Sequence, residues 1–593
     1  MKFHSRDTTY KKPFGAAATG EEIQIMFPVE KRRRAKGVFI VLRGVLNRRI
    51  ALDKLQEDDA TIFFGTSFCV DKEGIVYYRF EVETGKGFLF VGRDATGQAV
   101  VGDWLPEWQL TVFDNHYTTP QWLKGGLIYH IFIDRFARIE DGKKPSFGYL
   151  KSWEEDVEIH KDDGSYAADD FFGGNIKGIL SKLDYLESLG VNAIYLSPVF
   201  ESSSNHRYDT GDYLKIDKLF GDEEEFARLI SDCKSRGIGI ILDGVFNHTG
   251  ADSVYFNKFG HYPSLGAYQS EKSPYYHWYT FFDNLDYACW WGVKSVPTVR
   301  RDALDFQDFI AGYDGVIEKW TSLGVMGWRL DVVDELSSAF VKKIRSAIKR
   351  HGSERVIIGE VWEDASTKVS YGESREYLFG KELDGVMNYP FRTAILDYVK
   401  SANAEAFVTI VNAIIENYPK PTLDCCMTLI GTHDTVRVIN ELAEGVVPHK
   451  KSERKAHRLS PNAYAKAKKR LMLAACLQYF LPGVPSLYYG DETALQGYED
   501  PMNRRPYPWG AEDAETLDFY RKLGGIRKTN RPLFSMTATI TAENGVVTIA
   551  RGNLALIANA SGAPVMIEKV FDLLTGDFLM QVPACGAIII SNP

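Results

Sequence analysis

The sequence predicts an α/β protein: a (β/α)8 TIM barrel with a lobe inserted after its third strand, flanked by N-terminal and C-terminal β-sandwich domains. Three observations predict it. Eight short apolar runs recur through the middle of the chain with helical periods between them. One long segment, rich in Trp and Tyr and poor in helical periods, interrupts that alternation. Both ends of the chain carry short β-rich runs separated by turn signals. The chain has 593 residues, and at roughly 150 residues per domain it holds about four units, fewer when one is a large barrel.

Residues 1–118 show β-rich runs at Ile23–Phe27, Gly37–Leu42, Thr61–Val70, Ile75–Val82 and Gly87–Val91, a spacing that suggests a β-sandwich. The basic run Lys31–Lys36 falls between two of these runs and reads as a solvated loop rather than a nucleic-acid patch. The barrel is expected over 119–532. Its strand runs are Gly126–Phe136, Val191–Phe200, Gly237–His248, Gly324–Glu335, Arg355–Trp362, Asp384–Phe391, Thr428–Thr435 and Pro485–Glu492. They are largely apolar, most of them ending in polar residues, as strands buried on both faces should be. Phe226, Leu229, Ile230 and Cys233 follow the helical period, and Ile179, Leu180, Leu183, Leu186 and Leu189 fill another such face. The lobe is expected over 249–305, above the barrel mouth. A helix near Glu515–Arg527 closes the barrel. Residues 533–593 then turn β-rich again, at Thr537–Thr541, Gly545–Ala550, Leu554–Ala558 and Ala587–Ile590.

Composition narrows the function. A net charge of −9 disfavours a dedicated nucleic-acid binder. The most apolar stretch, Leu471–Tyr489, is broken by Gln478, Pro482, Gly483 and Pro485, so it reads as a core helix and a strand and not as a membrane span. The N-terminal residues contain no apolar h-region, so no signal peptide is expected. Seven cysteines without CxxC or Cys/His spacing read as buried, reduced thiols in a cytoplasmic protein.

Barrel active sites lie at the C-terminal ends of the strands. There the third run ends Asp243-Gly-Val-Phe-Asn247-His248, and the fourth ends Arg329-Leu-Asp331 with Glu335 beyond. The fifth ends Glu360-Val-Trp362, and the seventh ends His433-Asp434. A structural ion network is the competing explanation, but burying so many like charges raises their pKa values and costs stability. Glycoside hydrolysis needs one ionised and one protonated carboxyl group. Arg329 and Asp331, two apart on one strand, point the same way, so the guanidinium is expected to hold Asp331 ionised as the nucleophile. Glu360, near Ile358, Val361 and Trp362, is expected to have the raised pKa of an acid/base.

DGVFNH, GWRLDVVDE, GEVW and GTHD, in that order, resemble the four signature regions of the α-amylase superfamily of retaining glycoside hydrolases. Within it the chain most resembles the neopullulanase, cyclomaltodextrinase and maltogenic-amylase group. FFGGNIKGILSKLDYLESLGVNAIYLSPVF and NHRYDTGDY are similar to that group's second-strand region. The resemblance implies Asp331 as nucleophile, Glu360 as acid/base and Asp434 as the carboxylate that stabilises the transition state. It implies His248 and His433 as holders of sugar hydroxyls, Arg329 as the motif arginine, and Tyr208 as the aromatic under the cleaved sugar. Asp243 and Asn247 belong to the same substrate-binding set. Trp362 and Glu335 match acceptor-side positions, and Asp500 and Arg504 match contacts on the donor side.

The implied activity is hydrolysis of α-1,4 bonds, with α-1,6 bonds left open, in cyclodextrin, pullulan, starch or malto-oligosaccharides, and with transglycosylation. The alternatives are an oligosaccharide α-glucosidase or a pullulanase-type debranching enzyme. A noncatalytic glucan-binding protein is expected to have lost one of the three carboxylates. The chain departs from the group at Ser295–Val299, Glu363 and Asp334, around the acceptor side. No cofactor is required and no metal is assigned: calcium takes about six to eight oxygens, and the loop Arg135–Asp141 with Asn175 offers too few. In the resembling group the N-terminal sandwich packs over the mouth of a second subunit, which makes a homodimer the expected assembly. A starch-binding module on a monomer is the other reading.

Overall fold

Eight short parallel strands form a nearly closed ring in the structure, a computed structural model that describes residues 2–160, 166 and 168–591. They are β1 (Ile128–Ile131), β2 (Ala193–Leu196), β3 (Gly239–Gly244), β4 (Gly327–Leu330), β5 (Val356–Gly359), β6 (Gly385–Val386), β7 (Met427–Leu429) and β8 (Val484–Tyr488). The sheet runs β6-β5-β4-β3-β2-β1-β8-β7, and a parallel bridge between Met387 and Met427 spans the remaining gap. Each strand is shorter than the apolar run that predicted it, because the runs continue into buried loops at the mouth.

The period of two sorts the side chains. Ile128, Ala193, Ile241, Val356, Ile358 and Val484 belong to one buried cluster inside the ring. Their neighbours Tyr129, Ile194, Leu242, Trp328 and Ile357 belong to the larger core between strands and helices. The same alternation carries His130, Tyr195, Asp243 and Arg329 inward near the mouth.

Helix α1 (Glu223–Ser235) buries Phe226, Leu229, Ile230 and Cys233, as their spacing predicts. Asp222 caps it by accepting from the Glu225 N–H at 2.8 Å, and three glutamates in its first turn suit the dipole. The second predicted face breaks into two short helices, Ile176–Leu180 and Leu183–Ser188, and leaves Leu180 only half-buried. The Ser181 hydroxyl donates back to the Gly178 carbonyl at 2.7 Å, which competes with the helical ladder at the break. Helix α2 (Pro461–Phe480) stops before Pro482 and Gly483, and β8 follows. Helix α3 (Ala514–Thr529) ends the barrel. Among the described residues no helix is long and apolar enough to cross a membrane.

The segment after β3 holds only short 3-10 turns: Tyr276–Trp278, Asp283–Leu285 and Trp290–Gly292. Its aromatics make its core, with Phe256 4.9 Å from Tyr279 and 4.7 Å from Tyr287 between ring centres. The N-terminal part is two facing sheets around Phe3, Phe27, Phe80 and Trp108, with Phe27 and Phe80 stacked at 4.0 Å. Lys31–Arg33 is an exposed turn there, and Arg32 pairs with Glu30 at 2.7 Å. The C-terminal part has the four predicted runs in one sheet. It also has a hairpin, Val565–Phe571 with Phe578–Val582, that the sequence pattern did not signal. Glu568 and Lys569 interrupt its first strand, a register shift lies between Met566 and Val570, and both strands are mostly exposed. All seven cysteines are free; Cys233, Cys425, Cys426 and Cys476 are buried, but Cys69 is exposed and Cys289 and Cys585 are half-buried, against the expectation of wholly buried thiols.

Candidate active site

Arg329 stands at the centre of the mouth. Its Nη1 donates to Asp243 Oδ1 and Asp331 Oδ1, both at 2.8 Å, and its Nη2 lies 2.8 Å from Glu360 Oε2. Three adjacent strands supply these groups, so the guanidinium ties β3, β4 and β5 together. Asp243 is satisfied on its other side by the Tyr195 and Tyr208 hydroxyls, at 2.6 and 2.8 Å. The Tyr208 oxygen lies 2.6 Å from His433 Nε2, and His433 Nε2 lies 3.1 Å from Asp434 Oδ2. Arg504 reaches Asp434 Oδ1 at 3.6 Å and Asp500 at 3.0 Å, and its Nε donates to the His433 carbonyl. The three predicted carboxylates and Tyr208, Asp243, Arg329, His433, Asp500 and Arg504 therefore form one connected set.

Glu360 meets two further donors, the Val332 N–H at 2.8 Å and the Trp362 indole N–H at 3.0 Å. Val332 holds φ 37° and ψ 51°, a left-handed conformation that a β-branched residue rarely adopts. That strain turns its N–H toward Glu360 directly after Asp331. Trp362 stacks on Tyr389 at 3.8 Å and leaves its other face to solvent. His248 sits behind the site, its Nε2 3.0 Å from the Tyr208 carbonyl. Asn247 and Glu335 stand outside the connected set. Asn247 contacts His248 at 3.4 Å and accepts from the Val299 N–H, while Glu335 accepts from the Tyr371 hydroxyl. Asp334 accepts from Tyr377 at 2.8 Å and pairs with Lys368 at 2.9 Å, and Lys368 also pairs with Glu363.

The electrostatics correct two expectations, the apolar surroundings of Glu360 and the hold of Arg329 on an ionised Asp331. Glu360 does not lie in apolar surroundings: a guanidinium, an indole N–H and a backbone N–H face it. Nor does Arg329 belong to Asp331 alone. Burial pushes Asp331 well above the usual carboxylate range, with Arg329 opposing and Glu360, Asp243 and Asp434 adding to the rise. Burial, then Glu360, pushes Asp434 up to about 7. Asp243 is raised by burial as well. Five carboxylates, Asp243, Asp331, Glu360, Asp434 and Asp500, share the charges of Arg329 and Arg504, so the set keeps a proton where isolated carboxyls have lost theirs, and that proton belongs to the set. Burial holds His248 down at about 4 and His433 well below the ordinary imidazole value, so both rings are neutral near pH 7.

Sequence reasoning missed His130, Tyr195, Tyr166 and Tyr389. His130 stacks on Tyr195 at 4.3 Å and lies 5.2 Å from His433, edge to face. Tyr166 donates to Asp500 at 2.9 Å. For His130 and Tyr195 a signal existed: each is a polar residue at an inward position of an apolar strand. The loop weighed for calcium does not fit that ion. Asn175 Oδ1 accepts from Gly178 and Ile139, its Nδ2 donates to the Ile139 carbonyl, and Asp141 faces Lys143 at 3.3 Å.

Comparison with known proteins agrees with this geometry. The family model described as the alpha amylase catalytic domain matches residues 130–531, about two thirds of the chain. An amylopullulanase of Thermoanaerobacter thermohydrosulfuricus is 34% identical over 605 residues, covering 92% of this chain and 40% of that protein. The chain thus spans less than half the length of that relative. A cyclomaltodextrinase of Thermoanaerobacter pseudethanolicus is 32% identical over 437 residues, 70% of this chain and 66% of that one. Among solved structures, the type III pullulan hydrolase from Thermococcus kodakarensis aligns over 100% of both chains with a TM-score of 0.69 and 25% identity. With its signature residues gathered at one barrel mouth and the catalytic-domain match extending over most of its length, the chain belongs to the α-amylase family.

Proposed function

We propose that the protein is a retaining α-glucan hydrolase. The observation that carries this reading is the convergence of Asp331, Glu360 and Asp434, from three strand ends, on a mouth centred on one buried guanidinium. Asp331 is the nucleophile: its carboxylate attacks the anomeric carbon as the glycosidic C–O bond breaks. Glu360 gives the retained proton to the leaving oxygen. The resulting glycosyl ester on Asp331 is then opened by water, whose proton passes to Glu360 while Asp331 leaves as carboxylate. Two carboxyl oxygens, each 2.8 Å from a terminal nitrogen of one guanidinium, support the close spacing of roughly 5–5.5 Å that a direct nucleophile needs. Asp434 stabilises the positive charge that develops on the ring. His248 and His433, neutral, hold sugar hydroxyls, Tyr208 lies under the cleaved sugar with Asp243 and Asn247 supporting it, Trp362 and Glu335 line the acceptor side, and Asp500 and Arg504 line the donor side.

The substrate class follows from the relatives' names. Amylopullulanase, cyclomaltodextrinase and pullulan hydrolase point to α-1,4-linked glucans, with α-1,6 bonds within reach. The alternative is an oligosaccharide α-glucosidase or debranching enzyme. A homodimer through the N-terminal sheets is part of the reading, supported by the exposed aromatics Tyr77, Phe88, Phe90 and Trp104. A cytoplasmic setting is supported by seven unpaired cysteines. Proton NMR of the first products from β-cyclodextrin, pullulan and soluble starch tests the core of the proposal. The α-anomer is expected first; early β-anomer would overturn the two-step mechanism, and the product sizes decide between glucan hydrolase and glucosidase.

A further inference from the structure

Two adjacent tryptophans on the lobe, Trp290 and Trp291, have no part in the mechanism above, and the turn that carries them is costly. Trp291 adopts φ 50° and ψ 30°, the left-handed region, and Gly292 follows at φ 82°. Such a conformation is strained for an L-residue with a side chain. It also leaves the Trp291 ring 83% exposed, so the strain is not repaid by burial. The covered indole N–H of Trp290 meets no acceptor, a second cost without structural return.

The turn is nevertheless held firmly. The Trp290 N–H donates to the Val296 carbonyl at 3.1 Å, and the Val293 N–H to the Trp290 carbonyl at 2.9 Å. Cys289 bridges to Pro297, and Thr298 bridges to His248 just beyond β3. The turn that carries the tryptophans is thus tied, through Pro297 and Thr298, to the segment that follows the strand carrying Asp243. The Trp290 ring lies 5.7 Å from the His248 ring, and the Trp291 ring lies 6.1 Å from Trp290 at 53°. An exposed aromatic face, rigidly placed beside the mouth, suits a ligand that is apolar on its ring faces and polar at its rim. A pyranose ring is such a ligand.

We propose that Trp291, positioned by Trp290, is a platform on which a glucose unit of an α-glucan stacks outside the subsites next to the three carboxylates. This rests on the α-glucan reading and deepens it: the platform selects long, cyclic or branched glucans over short ones, because only a chain that extends past His248 reaches it.

The test measures binding in an Asp331→Asn background, where ligand is not consumed, by titration calorimetry with maltoheptaose and maltotriose. Adding Trp291→Ala is expected to raise Kd about tenfold for maltoheptaose, roughly the worth of one aromatic stack, and less than twofold for maltotriose. Trp291→Phe should restore most of the loss. Equal weakening at both lengths, or no change at either, overturns the platform. So does a change of mass by light scattering in the Trp291→Ala protein with maltoheptaose affinity intact, which would assign the ring to a protein contact. Failure of the hydrolase reading is separate: it appears as glucan binding by the wild-type chain without turnover.

Discussion

The guanidinium of Arg329 touches carboxylates from three strands, so single substitutions here act on a coupled set. Asp331→Asn keeps the shape and the contact to Arg329 but removes the proposed nucleophile. It is expected to lower kcat by at least about 1,000-fold with the melting temperature unchanged or higher. Retention of a tenth of the rate would mean that the roles are misassigned. Arg504 faces Asp434 and Asp500 and pulls the Asp434 pKa down from where burial and Glu360 would put it. Arg504→Met removes that pull. Carboxyl values in the set then rise, its proton is kept to higher pH, and both limbs of the kcat/KM profile should move upward by on the order of one pH unit. A downward shift, or none, would show that Asp434 does not couple to the catalytic proton.

At the scale of elements, the strand ends are held from below by an arginine that pairs with no carboxylate among the described residues. Arg527 on α3 is buried and donates to the Gly126 carbonyl at 2.9 Å before β1, to the Gly483 carbonyl at 2.8 Å before β8, and to the Tyr479 carbonyl. Arg551 donates to the neighbouring Phe480 carbonyl. Tyr479 and Phe480 are the last residues of α2, whose orphan carbonyls and negative dipole end accept both guanidinium groups. Arg527→Met leaves three buried carbonyls unpaired and is expected to cost about 3 kcal/mol. Urea unfolding should show it, while kcat at 25 °C stays near the wild-type value. A loss below about 0.5 kcal/mol would mean that water replaces the side chain at all three carbonyls.

For the whole molecule, the question is what the N-terminal sheets contribute. They hold the barrel through specific bonds: Arg6 to Glu416 at 2.8 Å, Gln109 to Ser366 at 3.0 Å, Thr111 to the Asn417 carbonyl at 2.6 Å and Tyr117 to the Leu383 carbonyl at 2.9 Å. The alternation that buries Tyr78, Phe80 and Trp108 turns Tyr77, Phe88 and Phe90 outward, and Trp104 stands fully exposed with a left-handed backbone. If this face joins two copies, Phe90→Ser with Trp104→Ser should give a monomer by light scattering. The cyclodextrin-to-starch rate ratio should fall with it, because the mouth widens. A wild-type monomer, or a variant that loses starch activity first, would favour a starch-binding module.

The sequence by itself determined what repeats or alternates along the chain. Short apolar runs, helical faces such as Phe226–Cys233, and the four signature stretches located the barrel, its strands and the carboxylates of its mouth, because burial on both faces dictates composition locally. Only the tertiary structure decided what depends on approach across the chain. That Tyr195 and His130 meet Asp243 and His433, and that one guanidinium serves three carboxylates, follows from the ring bringing distant strands together. Charge sharing is a property of distances among groups crowded at one mouth, and no spacing in sequence encodes it. The left-handed turns at Val332 and Trp291 were equally out of reach: neither residue favours that conformation, and the surrounding bonds impose it.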